Sequence, residues 1–203
     1  MILLAMYGKA RSGKDTAADY LAKELGLYKY AFAEPLKNML KSVFGDHFHE
    51  GDRSGICPET GKSYREMMQT LGTEWGRKMM TEDLWINLVK KKWDWVKNGG
   101  WAAGAPDCGG FNGMILSDVR FDSEAEWVRS QGGIVIEIRR DSDPITTVDD
   151  LKASLGLPAG IPGHQSEAGI RAGLIDLLAC NHGSRDDLYT ILDSIVQIIR
   201  AAP

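Results

Sequence analysis

The sequence predicts a three-layer α/β fold in which helices cover both faces of a parallel sheet. Short apolar runs typical of strands alternate with helical patterns along the chain. The first of these runs, Ile2 to Tyr7, is apolar throughout, as expected for a strand that is buried on both faces. A glycine-rich turn joins this run directly to a helical pattern. With 203 residues, the chain has an ordinary length for one domain, and we expect 1–203 to form a single domain.

Two helices and one more strand are predicted after the glycine-rich turn. Helical periodicity runs from about Thr16 to Leu25 and ends at Gly26, a residue that often follows a helix C-terminus. Tyr28 to Phe32 is predicted to form a short strand. Pro35 suits the first turn of a helix that continues to about Val43.

The middle of the chain predicts two further helices. The first runs from Ser63 to about Met80, with an apolar stripe at spacings of three and four residues that consists of Met68, Leu71, Trp75 and Met79. The second runs from about Glu82 to Lys97. The segment from Asn98 to Gly113 is rich in glycine and alanine, which is typical of an insertion or turn.

Strands and helices alternate again in the last ninety residues or so. The predicted elements are a strand at Met114 to Ser117 that ends in Asp118, a helix from about Ser123 to Gln131, a strand at Gly133 to Ile138, a strand at Leu174 to Cys180 and a helix from Arg185 to Arg200. An excursion from Asp141 to Gly163 contains several prolines and glycines and separates the last two strands.

The composition limits the classes of partner. The formal net charge is -4, from 24 basic and 28 acidic residues, whereas proteins that bind a nucleic-acid polymer usually carry a basic excess. Three widely spaced cysteines do not suggest a secreted disulfide framework. The opening apolar run is too short for a signal peptide, and no other stretch is long enough to span a membrane. We therefore expect a cytoplasmic protein with small-molecule partners.

The segment from Gly8 to Lys14 matches the phosphate-binding pattern G-x-x-x-x-G-K and lies between a strand and a helix. The glycines let successive backbone N–H groups converge on phosphate oxygens, and the following helix adds its partial positive charge. Lys14 is placed to reach the β- and γ-phosphates of a nucleotide. The predicted nucleotide-binding residues are Gly8, Lys9, Ala10, Arg11, Ser12, Gly13, Lys14, Asp15 and Thr16.

The residue after Lys14 departs from the usual pattern, because Asp15 stands where serine or threonine is common and Thr16 follows it. The oxygen that holds Mg²⁺ is therefore displaced by one position, or Asp15 takes part in the metal site. A loop of this kind occurs in GTPases, ATPases and small-molecule kinases. The chain has no N-K-x-D segment, the base-reading motif of GTPases, and only one acid, Asp118, ends the strand after Gly113. A small kinase therefore fits best.

A second candidate site lies on the helix that begins near Ser63. Arg65, Gln69, Thr73 and Arg77 recur every four residues and therefore share one face, with Glu74 nearby. A guanidinium and an amide are groups that can bind the phosphate and the base edge of a mononucleotide. The alternative is an ordinary solvated helix face.

Four acidic or basic positions elsewhere are further candidates. Asp118 ends a predicted strand at the carboxyl edge of the sheet, where it could order Mg²⁺ or the phosphate acceptor. Arg120 points to the same side if that strand continues so far, and the alternative is a capping aspartate with a surface arginine. Glu34 and Lys37, on the helix that contains Pro35, are weaker candidates for the phosphate or sugar of the acceptor.

Several segments together resemble the phage-type deoxynucleoside monophosphate kinases, a branch of the P-loop nucleoside monophosphate kinase superfamily. The resemblance spans almost the whole chain in the order of that family. It consists of GKARSGKDT at 8–16, AFAEPLK at 31–37, MQTLGTEWGR at 68–77, SDVRFDSEAEW at 117–127, IRR at 138–140, HQSE at 164–167 and NHGS at 181–184.

The resemblance implies transfer of the ATP γ-phosphate to a deoxynucleoside 5′-monophosphate, with ATP as donor and Mg²⁺ as cofactor. It also implies a core, a helical acceptor-binding part at about 33–100 and a mobile lid at about 139–166. Asn181, Gly183 and Ser184 are then expected to bind the donor nucleotide. The predicted catalytic residues are Lys14, Arg11 and Arg120, joined by Arg139 or Arg140 of the lid.

Two other functions stay open at this stage. One is a kinase of the same fold with another phosphorylated acceptor, such as dephospho-coenzyme A or phosphomevalonate. The other is a regulator that binds ATP without transferring phosphate, although the arginines at 120, 139 and 140 favour an enzyme. The sequence leaves open whether the chain forms a homodimer and which bases it accepts.

Overall fold

The computed structural model describes residues 1–45, 55–100, 110–140, 161 and 164–201. Within these residues the strands are β1 (Ile2–Tyr7), β2 (Leu27–Tyr30), β3 (Gly113–Leu116), β4 (Ile134–Arg140) and β5 (Leu177–Asn181). The helices are α1 (Lys14–Leu25), α2 (Glu34–Phe44), α3 (Tyr64–Gln69), α4 (Leu84–Lys97), α5 (Asp122–Ser130) and α6 (Arg185–Ala201). A π-helix, Thr70–Met80, continues α3, and short 3-10 turns lie at Gln165–Glu167 and Ala172–Leu174.

The five strands of the described residues form one sheet in the order β2-β3-β1-β4-β5. Every pair of neighbouring strands in this sheet is parallel. The predicted parallel α/β fold is therefore confirmed. Because parallel strands end at the same edge, the segments that follow β1, β3, β4 and β5 leave the sheet from one side, where α/β proteins usually bind their ligands.

Helices pack on both faces of the sheet, as predicted. On one face, Leu4 and Met6 of β1 and Ile136 and Ile138 of β4 are buried in a core that includes apolar side chains of α1 and α6. On the other face, α5 packs against β1 and β4. Alternation along the strands therefore assigns each side chain of β1 and β4 to one of two helical layers.

The chain divides into two compact units. The first comprises residues 1–32, 86–142 and 169–203 and contains the whole sheet. The second comprises residues 33–85 and 143–168 and contains α2, α3 and the π-helix. No helix among the described residues is long and apolar enough to cross a membrane.

The predicted helix from Ser63 to Met80 is only partly an α-helix, since its last eleven residues form the π-helix. Its hydrogen bonds span five residues, as between the Thr81 N–H and the Gly76 carbonyl at 3.1 Å. The Trp85 indole packs on this element, with its Nε1–H donating to the Gly72 carbonyl at 2.7 Å. A Cβ at Gly76 would lie 2.5 Å from the same ring, so glycine is required there.

The wider turn of the π-helix changes which side chains are buried. The predicted apolar stripe is wrong, because Met79 is 75% exposed and its other members are only half-buried. Instead, the buried residues of this element include Thr73, Gly76 and Arg77. The stripe was derived from α-helical spacing, which does not hold beyond Gln69.

Candidate active site

The loop of residues 8–13 connects β1 to α1 at the carboxyl edge of the sheet. Gly8, Arg11 and Gly13 have left-handed φ angles of 151°, 63° and 99°. A Cβ at Gly8 would lie 2.4 Å from the Ile138 carbonyl oxygen, so only glycine fits. Arg11 adopts its left-handed conformation despite its side chain, at a cost on the order of 1 kcal/mol. Residues strained in this way cluster at functional sites.

The N-terminus of α1 lies beside this loop and has no side-chain cap. Its N-cap is Gly13, so no side-chain oxygen at that position accepts the first N–H groups of the helix. The Ser12 hydroxyl is buried and has no hydrogen-bond partner among the described residues. Buried hydroxyls are normally hydrogen-bonded. Together with the helix dipole, these donors fit a bound polyphosphate.

Lys14 is the first residue of α1, and its Nζ donates to the Lys9 carbonyl across the loop at 3.3 Å. This hydrogen bond places the ammonium group over the loop backbone. A bound phosphate oxygen is a stronger acceptor for an ammonium group than a carbonyl oxygen, because the phosphate carries a negative charge that attracts the ammonium group.

Asn181, at the end of β5, shapes the loop through its side chain. Its Nδ2 donates to the Ser12 carbonyl at 2.8 Å, and its Oδ1 accepts the Gly183 N–H at 3.0 Å. A Cβ at Gly13 would lie 2.6 Å from Nδ2, so this contact also requires glycine in the loop. The amide therefore ties the segment after β5 to the loop after β1.

Gly183 and Ser184 lead into α6. Gly183 has a φ of 116°. The Ser184 hydroxyl accepts the Asp187 N–H at 3.0 Å and donates to the Asp187 carboxylate at 2.6 Å, so it caps the helix. The structure thus gives Ser184 a helix-capping contact, and its predicted part in nucleotide binding stays a prediction.

The oxygen atoms available to a divalent ion lie on α1 and after β3. Asp15 is exposed and Thr16 half-buried in the first turn of α1. Carboxylate and hydroxyl oxygens are ligands that Mg²⁺ accepts. Asp118 follows β3, and its Oδ1 accepts the Phe32 N–H at 2.7 Å. The donor set therefore fits Mg²⁺, with Asp15, Thr16 and Asp118 as the residues that would hold it directly or through water.

Residues 117–121 form a loop after β3 that is bonded to two neighbouring strand ends. The Ser117 N–H donates to the Tyr30 carbonyl at 3.0 Å, and the Val119 N–H donates to the Met6 carbonyl at 3.1 Å. The backbone on either side of Asp118 is thus attached to β2 and β1. This loop, called the 117–121 loop below, lies in the same unit as the glycine-rich loop.

The prediction that Arg120 points to the same side as Asp118 assumed that β3 continues as far as Arg120. The assumption is wrong, because β3 ends at Leu116. Arg120 instead belongs to the 117–121 loop, and its backbone N–H donates to the Glu124 carboxylate at 2.8 Å. Its orientation therefore depends on loop contacts.

The two arginines at 139 and 140 do not follow β4 but are its last two residues. Arg139 shares a face with Glu137, which it contacts through Nε at 3.1 Å and Nη2 at 2.8 Å. This hydrogen-bonded ion pair raises the pKa of Arg139 above its ordinary value. Arg139 is thus already paired with a carboxylate of its own strand.

Arg140 lies on the opposite face of β4, which is the face of α1 and α6. Its partner in the parallel register is Asn181, whose side chain reaches the glycine-rich loop. The Arg140 Nε atom is buried and has no hydrogen-bond partner among the described residues.

Most of the predicted lid cannot be compared with the prediction, because residues 141–160, 162 and 163 lie outside the described residues.

In the second unit, the predicted acceptor stripe is buried rather than solvated. Gln69, Thr73 and Arg77 are 7%, 3% and 9% exposed, and Arg65 is half-buried. Arg77 donates to the Glu82 carbonyl at 3.2 Å. Polar groups at this depth need partners, and a plain solvated face is therefore excluded.

The Gln69 amide is held by the backbone of Ile161. The Ile161 N–H donates to Oε1 at 2.6 Å, while Nε2 is buried and has no partner among the described residues. This bond fixes the orientation of the amide, because only its oxygen can accept from the N–H group. The two N–H donors of Nε2 are thus directed elsewhere.

His164 is a buried residue of this unit to which the sequence assigned no role. Its Nδ1 accepts the Ser166 N–H at 3.2 Å, and its Nε2 lies 3.9 Å from Oε1 of Glu74. Glu74 also pairs with Lys78 at 2.8 Å. No sequence spacing relates positions 74 and 164, so only the HQSE segment of the family resemblance indicated that His164 could matter.

Two further predicted acceptor contacts, Glu34 and Lys37, are half-buried in the first turns of α2.

Comparison with known proteins agrees with the family resemblance. The family model described as deoxynucleotide monophosphate kinase matches residues 2–57, which include the glycine-rich loop. A protein of Acanthamoeba polyphaga mimivirus, provisionally named a deoxynucleotide monophosphate kinase, is 27% identical over 97% of this chain and 96% of its own length. The deoxynucleotide monophosphate kinase of Enterobacteria phage T4 is 22% identical over 98% of this chain and 100% of its own length.

Among solved structures, a protein from Chloroflexus aurantiacus that is provisionally named a kinase aligns with a TM-score of 0.52. The alignment covers 100% of this chain and 97% of that protein at 15% identity, which supports the fold alone. The resemblance to deoxynucleoside monophosphate kinases and the P-loop kinase fold, both predicted from the sequence, are thereby confirmed.

Proposed function

We propose that this chain is a deoxynucleoside monophosphate kinase, a phosphotransferase that moves the γ-phosphate of ATP to a deoxynucleoside 5′-monophosphate. The observation that carries the proposal is the loop of residues 8–13, which combines three left-handed backbone positions, a buried hydroxyl without a partner and an uncapped helix N-terminus. Similarity to named deoxynucleotide monophosphate kinases over nearly the whole chain supports the choice of acceptor.

The donor half of the reaction is assigned to the first unit. Backbone N–H groups of the loop and Lys14 bind the phosphates of ATP, and Asn181 holds the loop in shape. When bound, Mg²⁺ would neutralise charge on the phosphate oxygens, with oxygens of Asp15, Thr16 or Asp118 as its protein ligands. Such an enzyme works in the cytoplasm, where ATP and mononucleotides occur.

The acceptor half is assigned to the helix formed by α3 and the π-helix in the second unit. Arg65 binds the 5′-phosphate of the acceptor, and the Nε2 donors of Gln69 are available to an acceptor atom on the base. Thr73, Glu74 and Arg77 complete the assigned set, with Glu34 and Lys37 of α2 as additional contacts to the phosphate or sugar.

The transfer step needs only positioning and charge stabilisation from the protein. An oxygen of the acceptor 5′-phosphate forms a bond to the γ-phosphorus, while the bond from that phosphorus to the β,γ-bridging oxygen breaks and ADP leaves. Negative charge on the transferred group is stabilised by Lys14 and by the arginines assigned to this role, which are Arg11, Arg120 and Arg140.

The experiment that tests the function is ADP release from ATP against a panel of phosphorylated acceptors. The panel contains ribo- and deoxynucleoside monophosphates, dephospho-coenzyme A and phosphomevalonate, each with Mg²⁺ and with excess EDTA. We expect turnover with one or more deoxynucleoside monophosphates and none with EDTA. Turnover with dephospho-coenzyme A or phosphomevalonate alone would reassign the acceptor, and ATP binding without turnover on any acceptor would favour a regulator.

Substitution of Arg65 tests the acceptor assignment. Loss of a guanidinium bound to phosphate should raise the KM for the deoxynucleoside monophosphate roughly tenfold to a hundredfold in Arg65→Ala. The KM for ATP should change little, because the two substrates are assigned to different elements. The matched control is Lys62→Ala, which removes a cation of the same unit that pairs with Glu66 on the surface. A rise in the KM for ATP alone would show that the acceptor helix is misassigned.

A further inference from the structure

Glu124 is a buried carboxylate that the proposed mechanism has not used. It lies in the first turn of α5 and is 2% exposed. A carboxylate at this depth is costly unless hydrogen bonds satisfy it. Its Oε2 accepts two backbone N–H groups, from Arg120 at 2.8 Å and from Phe121 at 3.2 Å.

One of these two bonds goes beyond ordinary helix capping. A glutamate at the third helical position commonly reaches back to the N–H of the N-cap residue, which here is Phe121. The bond to Arg120 lies one residue farther back, outside the helix, and is the shorter of the two. Glu124 therefore holds the 117–121 loop as well as the end of α5.

The other end of this loop is held by independent contacts. Asp118 accepts the Phe32 N–H at 2.7 Å, and the Val119 N–H donates to the Met6 carbonyl at 3.1 Å. Met6 lies two residues before Gly8, so the loop is bonded to the strand that leads into the glycine-rich loop. Arg120 therefore lies between the bond from Val119 to β1 and the carboxylate of Glu124 on α5.

We propose that Glu124 is a positioning residue for phosphoryl transfer, which fixes the backbone at Arg120 so that its guanidinium acts on the transferred group. This inference rests on the proposed kinase function. A buried carboxylate suits this task, because it accepts two N–H groups at once and is stabilised by the positive end of the α5 dipole. An error of position near 1 Å at a catalytic group can lower a rate by about 10²-fold.

A double-mutant cycle separates positioning from stability. We expect Glu124→Ala to lower kcat at least about tenfold with little change in the KM for ATP. In the Arg120→Ala background, the same substitution should change kcat less than about twofold, since the group it positions is gone. Glu124→Gln keeps an acceptor oxygen and should recover most of the rate.

The control is Asp176→Ala, which removes another carboxylate bonded to a backbone N–H, that of Val135 at 2.8 Å. Asp176 precedes β5 and therefore lies at the amino edge of the sheet, away from the candidate site. We expect this variant to lose stability but to keep its kcat. Equal losses of kcat from Glu124→Ala with and without Arg120 would overturn the proposal.

Amide hydrogen exchange provides a readout that does not depend on catalysis. Glu124→Ala should accelerate exchange at the Arg120 and Phe121 amides at least about tenfold, whereas Asp176→Ala should leave both unchanged. Unchanged exchange in Glu124→Ala would refute the positioning role whatever the enzyme transfers. Faster exchange in a protein that phosphorylates no acceptor would instead contradict the proposed function and leave the contact itself supported.

Discussion

Substitution of Lys14 by alanine is expected to abolish phosphoryl transfer and leave the fold intact. Lys14 begins α1 directly after the loop that is assigned to the phosphates, and its Nζ donates to the Lys9 carbonyl of that loop. Loss of one preorganised charge-stabilising group commonly costs on the order of 10²- to 10³-fold in kcat. Because an ammonium group in the proposed role would also orient the phosphates, we expect the upper end of this range or beyond.

The measurement compares steady-state transfer and thermal unfolding for wild type, Lys14→Ala and Lys23→Ala. Lys23 is an exposed lysine in the last turn of the same helix and is the matched control. The control should keep wild-type kcat, and both variants should unfold within a few degrees of wild type, since neither side chain lies in the core. Wild-type kcat in a folded Lys14→Ala protein would contradict the assignment of the loop as the ATP site.

The parts of the fold that the sequence predicted well depend on local patterns. β1, the glycine-rich loop and α1 lie next to one another in the chain, and each has its own signal: a continuous apolar run, the glycine and lysine spacing, and helical periodicity. Their order also specifies a strand, turn and helix at the carboxyl edge of a parallel sheet. Both the loop and the parallel sheet could therefore be predicted before any tertiary contact was known.

The π-helix could not be predicted from helical periodicity, and part of its packing comes from a residue outside it. Trp85 packs against Gly72 and Gly76 and donates to the Gly72 carbonyl. Helical periodicity assumes α-helical spacing, and nothing within residues 70–80 indicates that the turn widens. The error placed Met79 in the core, whereas the residues proposed to bind the acceptor were on the buried side.

The role of Asn181 likewise needs the strand register. In the sequence it lies 169 residues from Ser12, so no spacing predicts that its amide bonds to the Ser12 carbonyl. The register of β4 with β5 places Asn181 beside Arg140 on the face of α1 and α6. The same register separates two adjacent arginines that the sequence could not distinguish.

Because Arg139 and Arg140 lie on opposite faces of β4, Arg140→Ala is expected to lower kcat much more than Arg139→Ala. Arg140 is beside Asn181 on the face that carries the glycine-rich loop, and its buried Nε has no partner among the described residues. Arg139 lies on the other face and is paired with Glu137. An arginine that stabilises the transferred group can contribute on the order of 10³-fold or more.

The test uses kcat, the dissociation constant of ATP and a conservative variant at each position. Arg140→Ala should lower kcat on the order of 10³-fold with little change in ATP affinity, because the charge it stabilises develops only during transfer. Arg140→Lys keeps the charge but not the planar pair of donors, and its kcat should fall between those of wild type and Arg140→Ala. Arg139→Ala serves as the matched control, with kcat within about threefold of wild type, since a surface ion pair contributes little. The reverse order of effects would mean that Arg139 leaves Glu137 during the reaction and that the face of β4 does not decide which arginine acts.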